Sequence, residues 1–198
     1  MAWGKAGSVE TTGASLTVTS VLDSKFYTFL YNSIPSGDMT EYMRLGSGSA
    51  DTLDSYANRK STNGGAEGAY NTRSNMVVSA KSGATQPELG VGYIFNRATE
   101  EKLMIYHAVN ANASGAGTAP DRIEVAGKWV NTSDVMDVIQ MYDVNGVGDY
   151  DTGSNLSVLG SDLTPAAASP ATILDGLIFE ETDTNKHYIY TSGAWTEL

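Results

Sequence analysis

The chain has 198 residues, no cysteine, 12 basic and 23 acidic residues, and a formal net charge of −11 at pH 7. The absence of cysteine excludes disulfides, thiolate metal sites, iron–sulfur clusters and thiol nucleophiles, and the acidic surplus repels phosphate backbones and anionic membranes, so neither nucleic acid nor membrane is an expected partner. The length suffices for one generous domain with a core that needs no staples; no run approaches the ~20 apolar residues of a membrane span, and the opening MAWGKAGSVETT, with one lysine and no apolar run, is expected to be neither signal nor transit peptide.

Twenty-one glycines among Ser, Thr, Asn and Asp cut the chain into short pieces with few helical periods. SLTVTSVL, residues 15–22, alternates apolar with Ser and Thr, the period of a half-buried strand. KFYTFLYNSI (25–34) and EYMRLG (41–46) flank a Pro-Ser-Gly-Asp turn and are expected to be neighbouring antiparallel strands. Residues 47–75 hold little apolar material and read as a long surface excursion with one short strand near 56–60. MVVSA, LGVGYIFNRA and KLMIYHAV resume the strand signal, RIEVAGKWV (122–130) and VMDVIQMYDV (135–144) continue it around an NTSD turn, and NLSVLGSD (155–162) closes it. Strands at roughly 8 to 12 residue spacing predict an all-β protein, a jelly-roll-like antiparallel β-sandwich. TPAAASPATILDG holds the one candidate helical turn and equally describes a linker. The domains are therefore expected to be a sandwich over 1–164, a linker over 165–174 and a small C-terminal β-meander over 175–198, too short to hold itself folded without packing on something else.

The stretch YDVNGVGDYDTGSN, residues 142–155, is the main concentration of ligand-type side chains. Counted from Asp143, a calcium loop would use Asp143, Asn145, the Val147 carbonyl, Asp149 and Asp151 with the sharp turn at Gly148, but the bidentate glutamate position is Ser154. The favoured reading is a turn, a β-hairpin joining 135–144 to 155–159; no cofactor is expected, calcium being the one candidate. His107 and His187 lie far apart in predicted strands, and no nucleophile elbow, phosphate loop or His-Glu-x-x-His is present. The carboxylate pairs Glu100–Glu101, Glu180–Glu181 and Asp149/Asp151 sit at turns, where charge is ordinarily just solvated, and adjacent strand residues point to opposite faces. Trp129, inside VAGKWV, reads as core. Met76, Tyr93, Tyr190 and Trp195 are the candidate centre of a subunit interface.

Three segments carry a family resemblance. EEKLMIYHAVNANASGAGTAPDRIEVAGKWVNTSDVMDVIQMY followed by GDYDTGSNLSVLGSD resembles a pattern in virion structural proteins of tailed phages, archaeal viruses and marine viruses, in which a Glu-Glu-Lys strand, a Gly/Ala loop, an Arg-x-Glu…Lys-Trp strand and a Ser-x-Leu-x-Val-Leu-Gly strand are successive rungs of a β-sandwich. SYANRKSTNGG (55–65) is similar to that family's Asn-Tyr-Ala-x-Arg stretch, with serine before the tyrosine here. FEETDTNKHYIYTSGAWTEL resembles a short module of phage tail-fibre and minor structural proteins. The resemblance implies a non-enzymatic capsid decoration, minor structural or fibre protein on the particle exterior that associates with itself, by analogy as a trimer, and with other virion proteins. Two other expectations are a carbohydrate-binding or receptor-adhesion module, assisted by calcium at Asp143, Asp149 and Asp151, and a glycosidase, which needs two carboxylates about 5 to 9.5 Å apart in a cleft.

Overall fold

The structure, a computed structural model, describes residues 3–78, 86–161, 178–181, 186–191 and 194–197. Two units divide the chain, Met1–Leu163 and Thr164–Leu198. Among the described residues every regular element is a strand. The first unit contains β1 (Trp3–Glu10), β2 (Ser15–Val18), β3 (Phe26–Ser33), β4 (Glu41–Ser47), β5 (Ser49–Ala50), β6 (Tyr56–Thr62), β7 (Gly68–Arg73), β8 (Met76–Val77), β9 (Glu88–Phe95), β10 (Lys102–Asn110), β11 (Asp121–Trp129), β12 (Val138–Asp143) and β13 (Asn155–Ser161). The second contains β14 (Ile178–Glu181), β15 (Lys186–Thr191) and β16 (Ala194–Glu197), a three-stranded antiparallel meander with Ile178 opposite Ile189 and Tyr190 opposite Trp195. The expected linker at 165–174, with its candidate helical turn, lies outside the described residues.

The first unit is an antiparallel β-sandwich. Its large sheet runs β1-β13-β3-β9-β10-β11-β6-β7, and its small sheet β2-β12-β4-β5 with β8 also on β4. Period-two patterning builds the space between them: β4 turns Glu41, Met43 and Leu45 inward with Tyr42 and Arg44 outward, and β10 turns Met104 and Tyr106 inward with Leu103 and Ile105 outward. One core results, with Trp129, Tyr27, Phe29, Tyr56 and Tyr106 as its largest members beside Met43, Ile94 and Met141. The Phe29 and Tyr106 rings stack at 5.8 Å with 12° between their planes.

Three expectations about pairing are corrected. First, β3 and β4 are not neighbours: β3 lies between β13 and β9 in the large sheet, while β4 pairs with β12 in the small one. The connection between them passes from one sheet to the other, tied by Ser36 N–H to the Asp149 carbonyl at 2.8 Å and by a bridge between Pro35 and Tyr150. Second, residues 135–144 and 155–159 do not form a hairpin, since β12 belongs to the small sheet and β13 to the large one. Third, the stretch 47–75 is no mere excursion. Asn63 and Gly64 adopt φ of 54° and 71°, the paired left-handed residues of a tight hairpin turn, and β6 and β7 join the large sheet through β11. Its scarcity of apolar residues is offset by Tyr56, fully buried, whose hydroxyl donates to the Leu45 carbonyl at 2.6 Å and so ties the two sheets together.

Candidate functional site

Asp143 ends β12 and is buried. Its Oδ1 accepts the N–H of Thr40 at 2.8 Å and of Asn145 at 3.2 Å; its Oδ2 accepts those of Val147 at 2.9 Å and Gly148 at 3.2 Å. Burial pushes this carboxyl up, but the four donors outweigh it and hold the group below the usual carboxylate range. A carboxylate ringed by N–H donors organises a loop, because the lone pairs a cation would use are already engaged. The Asn145 amide donates to Thr40 Oγ1 at 3.0 Å, and Asp149 and Asp151 are exposed, their backbones tied to Ser36 and Ile34. Among the described residues no group of three or more His, Asp or Glu side chains is placed to hold a metal. The segment thus acts as a crossing between sheets, with Asp143 as its pin.

The feature that stands out lies on β9 and β10, and arises from an inverted strand. In ELGVGYIF the inward positions are Glu88, Gly90, Gly92 and Ile94, and the outward ones Leu89, Val91, Tyr93 and Phe95. The glycines are required by the rings packed under them: a Cβ on Gly92 would stand 2.1 Å from the Phe29 ring, and one on Gly90 2.2 Å from the Tyr106 hydroxyl. The large side chains of this strand therefore face away from the core. The adjoining strands extend the pattern, with Tyr93 opposite Ile105 and Thr28, Leu89 opposite Val109, and Phe95 opposite Leu103 and Phe26. Leu89, Tyr93, Leu103 and Ile105 are each more than half exposed, at 59, 55, 53 and 55%. At one end of this face Trp3, Phe26, Tyr93, Phe95, Leu103 and Ile105 line a shallow groove of about 340 Å³. Monomers rarely leave so continuous an apolar surface in water.

Of the four residues expected at an interface, Tyr93 stands at the middle of this face. Met76 does not: it is fully buried on β8, against the inner side of the large sheet, where a Cβ on Gly127 would lie 2.6 Å from its sulfur, so it has no surface to offer a partner. Tyr190 is half-buried on β15, and Trp195 lies opposite it on β16. His107 points outward from β10, opposite Val91 and Glu124, and His187 is exposed on β15. Glu101 is ion-paired with Lys128 at 2.8 Å. Neither Glu100–Glu101 nor Asp149/Asp151 converges on a cleft, Glu101 being ion-paired and both aspartates exposed.

Two carboxylates do meet, at Glu41 and Glu88, positions that the search for acidic pairs missed. Both are buried between the sheets. The Tyr31 hydroxyl donates to Glu41 Oε1 at 2.5 Å and lies 3.1 Å from the Tyr150 hydroxyl, while Tyr106 donates to Glu88 Oε1 at 3.2 Å. Ser33 and the Glu88 carboxyl stand beside Glu41, whose carboxyl is raised by burial first and also by the charge of Asp143. Burial lifts the hydroxyls of Tyr31, Tyr106 and Tyr150 well above the ordinary tyrosine range. Two adjacent carboxyls in such a place hold at least one proton between them. Enclosed by both sheets, the pair joins β4 to β9 and cannot reach a sugar chain. The alternation in ELGVGYIF was the available signal, because it sets Glu88 on the side of the glycines.

No protein-family model matches this chain, and no curated protein matches it. Among solved structures, an alginate lyase in complex with an alginate trisaccharide aligns with 73% of this chain and 74% of its own, at 11% identity and a TM-score of 0.28. A likeness that slight carries no argument about activity.

Proposed function

We propose that this chain is a non-enzymatic structural protein of a virus particle, a capsid decoration or minor structural subunit on the particle exterior that associates with further copies of itself. The observation that supports this reading is the outward apolar face of β9 and β10, since such a surface favours a partner that removes it from water. The net charge of −11 suits an exterior site, away from the like-charged genome. The meander, with Tyr190 on β15, is the second contact in this proposal, toward other virion proteins. A glycan reading is less favoured: sugars need hydrogen-bonding groups beside the ring on which they stack, and the groove around Tyr93 is lined by aliphatic and aromatic side chains.

The test is fractionation. In lysates of cells producing the virus that encodes it, the chain should sediment with density-purified particles and remain there after washing at high salt. Recovery only in the free protein fraction would refute the proposal, and calcium-dependent retention on a glycan array would replace it with the adhesion reading.

A further inference from the structure

The apolar face sits at the middle of the large sheet, since β9 and β10 are the fourth and fifth of its eight strands. A partner here meets a face and does not extend an edge by adding a strand. Sheets that pack this way interdigitate side chains across a gap of ~10 Å. Leu30, Leu89, Tyr93, Leu103, Ile105 and Val109, with Trp3 at the end of the groove, are each about two-fifths or more exposed, an apolar surface that supplies most of the ~800 Å² each partner contributes to a standard-size protein interface.

Much of the charge bordering this face is paired, although the chain as a whole is acidic; Lys25 lies 5.2 Å from the Phe26 ring and His107 points outward from β10. Where β11 and β6 border the apolar centre, Arg59 pairs with Glu67, Arg122 with Glu124, and Lys128 with Glu101. Two copies meeting here would bring together surfaces whose bordering carboxylates are paired with Arg or Lys, and the unpaired acidic surplus would stay largely outside the contact.

Symmetry fixes the arrangement. A ring of three joins two different, complementary patches, whereas a two-fold contact uses one patch twice. Among the described residues, the large exposed apolar side chains off this face, namely Leu22, Leu53, Val130, Val144 and Val147, stand in connections between strands and form no second sheet face. Among the described residues of the first unit this leaves one patch, and a patch that meets its own copy belongs to a pair. We propose that two copies of this chain pack face to face through the outer surface of the large sheet, about a two-fold axis between β9 and β10. This deepens the assembly reading above and rests on it for the role of the face, but not for the virus, and it replaces the expected three-fold association with a two-fold one.

The experiment uses the full chain, which has no native cysteine to confuse it. Light scattering on the wild type should return twice the chain mass. Ile105→Lys, an exposed substitution, should stay folded, with the wild-type strand signature in circular dichroism, and weaken association at least about thirtyfold, because a lysine would be stranded in the contact. Ile105→Cys and Tyr93→Cys flank the proposed axis, and under mild oxidation at least one should yield a disulfide-linked pair, while Val147→Cys in the Asp143 loop should not. A wild-type monomer or trimer would overturn the proposal. So would a pair that Ile105→Lys leaves intact, or linkage at neither flanking position. Failure to find the chain in particles would leave these outcomes standing, and a monomer would remove the pairing without deciding where the chain resides.

Discussion

The two sheets finish their outer faces in opposite ways. On the small sheet Tyr42 lies opposite Tyr142 with ring centroids 6.3 Å apart, the Arg44 guanidinium sits 4.2 Å over the Tyr142 ring, and its Nε donates to the Ser74 carbonyl at 3.0 Å. Asn75 donates to the Tyr142 hydroxyl at 2.9 Å, and Gln140 to Thr17 at 3.1 Å. These side chains largely pair with one another, and Tyr42, Arg44 and Gln140 are only half-buried, so this face meets water with polar groups. On the large sheet the corresponding positions are Leu, Val, Tyr, Phe and Ile, whose desolvation the folded unit leaves incomplete. Patterning at period two makes a sandwich; the chemistry placed on the outward half of the pattern decides what the sandwich does next.

The sharpest way to break this contrast is to reverse β9. Gly92→Val places atoms where the Phe29 ring lies, and should cost about 3 kcal/mol in a urea denaturation curve. A cost below about 1 kcal/mol would mean that β9 is not inverted as described.

A smaller effect tests the carboxyl pair beneath the same strand. Because burial holds the Glu41 carboxyl above the usual range, the folded chain binds that proton more tightly than the unfolded chain does. The stability it contributes is complete below the ordinary carboxyl pKa and is lost as pH rises through the raised one. Asp143 runs the other way: its contribution is present above the ordinary value and is lost as pH falls through its lowered one. Glu41→Gln keeps a neutral hydrogen-bonding group beside Tyr31, so over a rise from mildly acidic to alkaline pH its melting temperature should fall a few degrees less than that of the wild type. Parallel curves would place the buried proton elsewhere.

The smallest effect is expected on the small sheet. Arg44→Ala removes a half-buried, stacked guanidinium worth about 1 kcal/mol, and should leave the scattering mass unchanged. A change in mass would show that the polar face also takes part in association, and the contrast between the sheets would fail.

The fold class was legible because SLTV, EYMRLGS and the strands around them alternate cleanly between turns that only Gly, Asn, Ser and Asp tolerate. Pairing was not legible. The connections from β3 to β4 and from β12 to β13 carry turn residues like those of any hairpin, and whether a strand returns beside its predecessor or crosses the core depends on contacts over a hundred residues away, such as Asp149 with Ser36. The hairpin of β6 and β7 was underrated because it holds few apolar residues, although Asn63-Gly64 is a hairpin turn signal in its own right. Tyr93 was singled out as an aromatic, but the strand signal of LGVGYIF does not say which half of its alternation faces out, and that is settled by the rings of Phe29 and Tyr106 occupying the space over Gly92 and Gly90. Asp143 drew attention as a ligand, and sequence spacing carries no information on whether donors or a cation will fill its lone pairs.

β1 is hydrogen-bonded to β13, with Trp3 opposite Ser161 and Glu10 opposite Asn155. β1 thus has its lateral partner at the far end of the sandwich's sequence, and at ~5–20 residues per second of synthesis it waits on the order of ten seconds for it. Throughout that delay the unpaired strand displays an open edge, so products that end before β13 should be prone to clump.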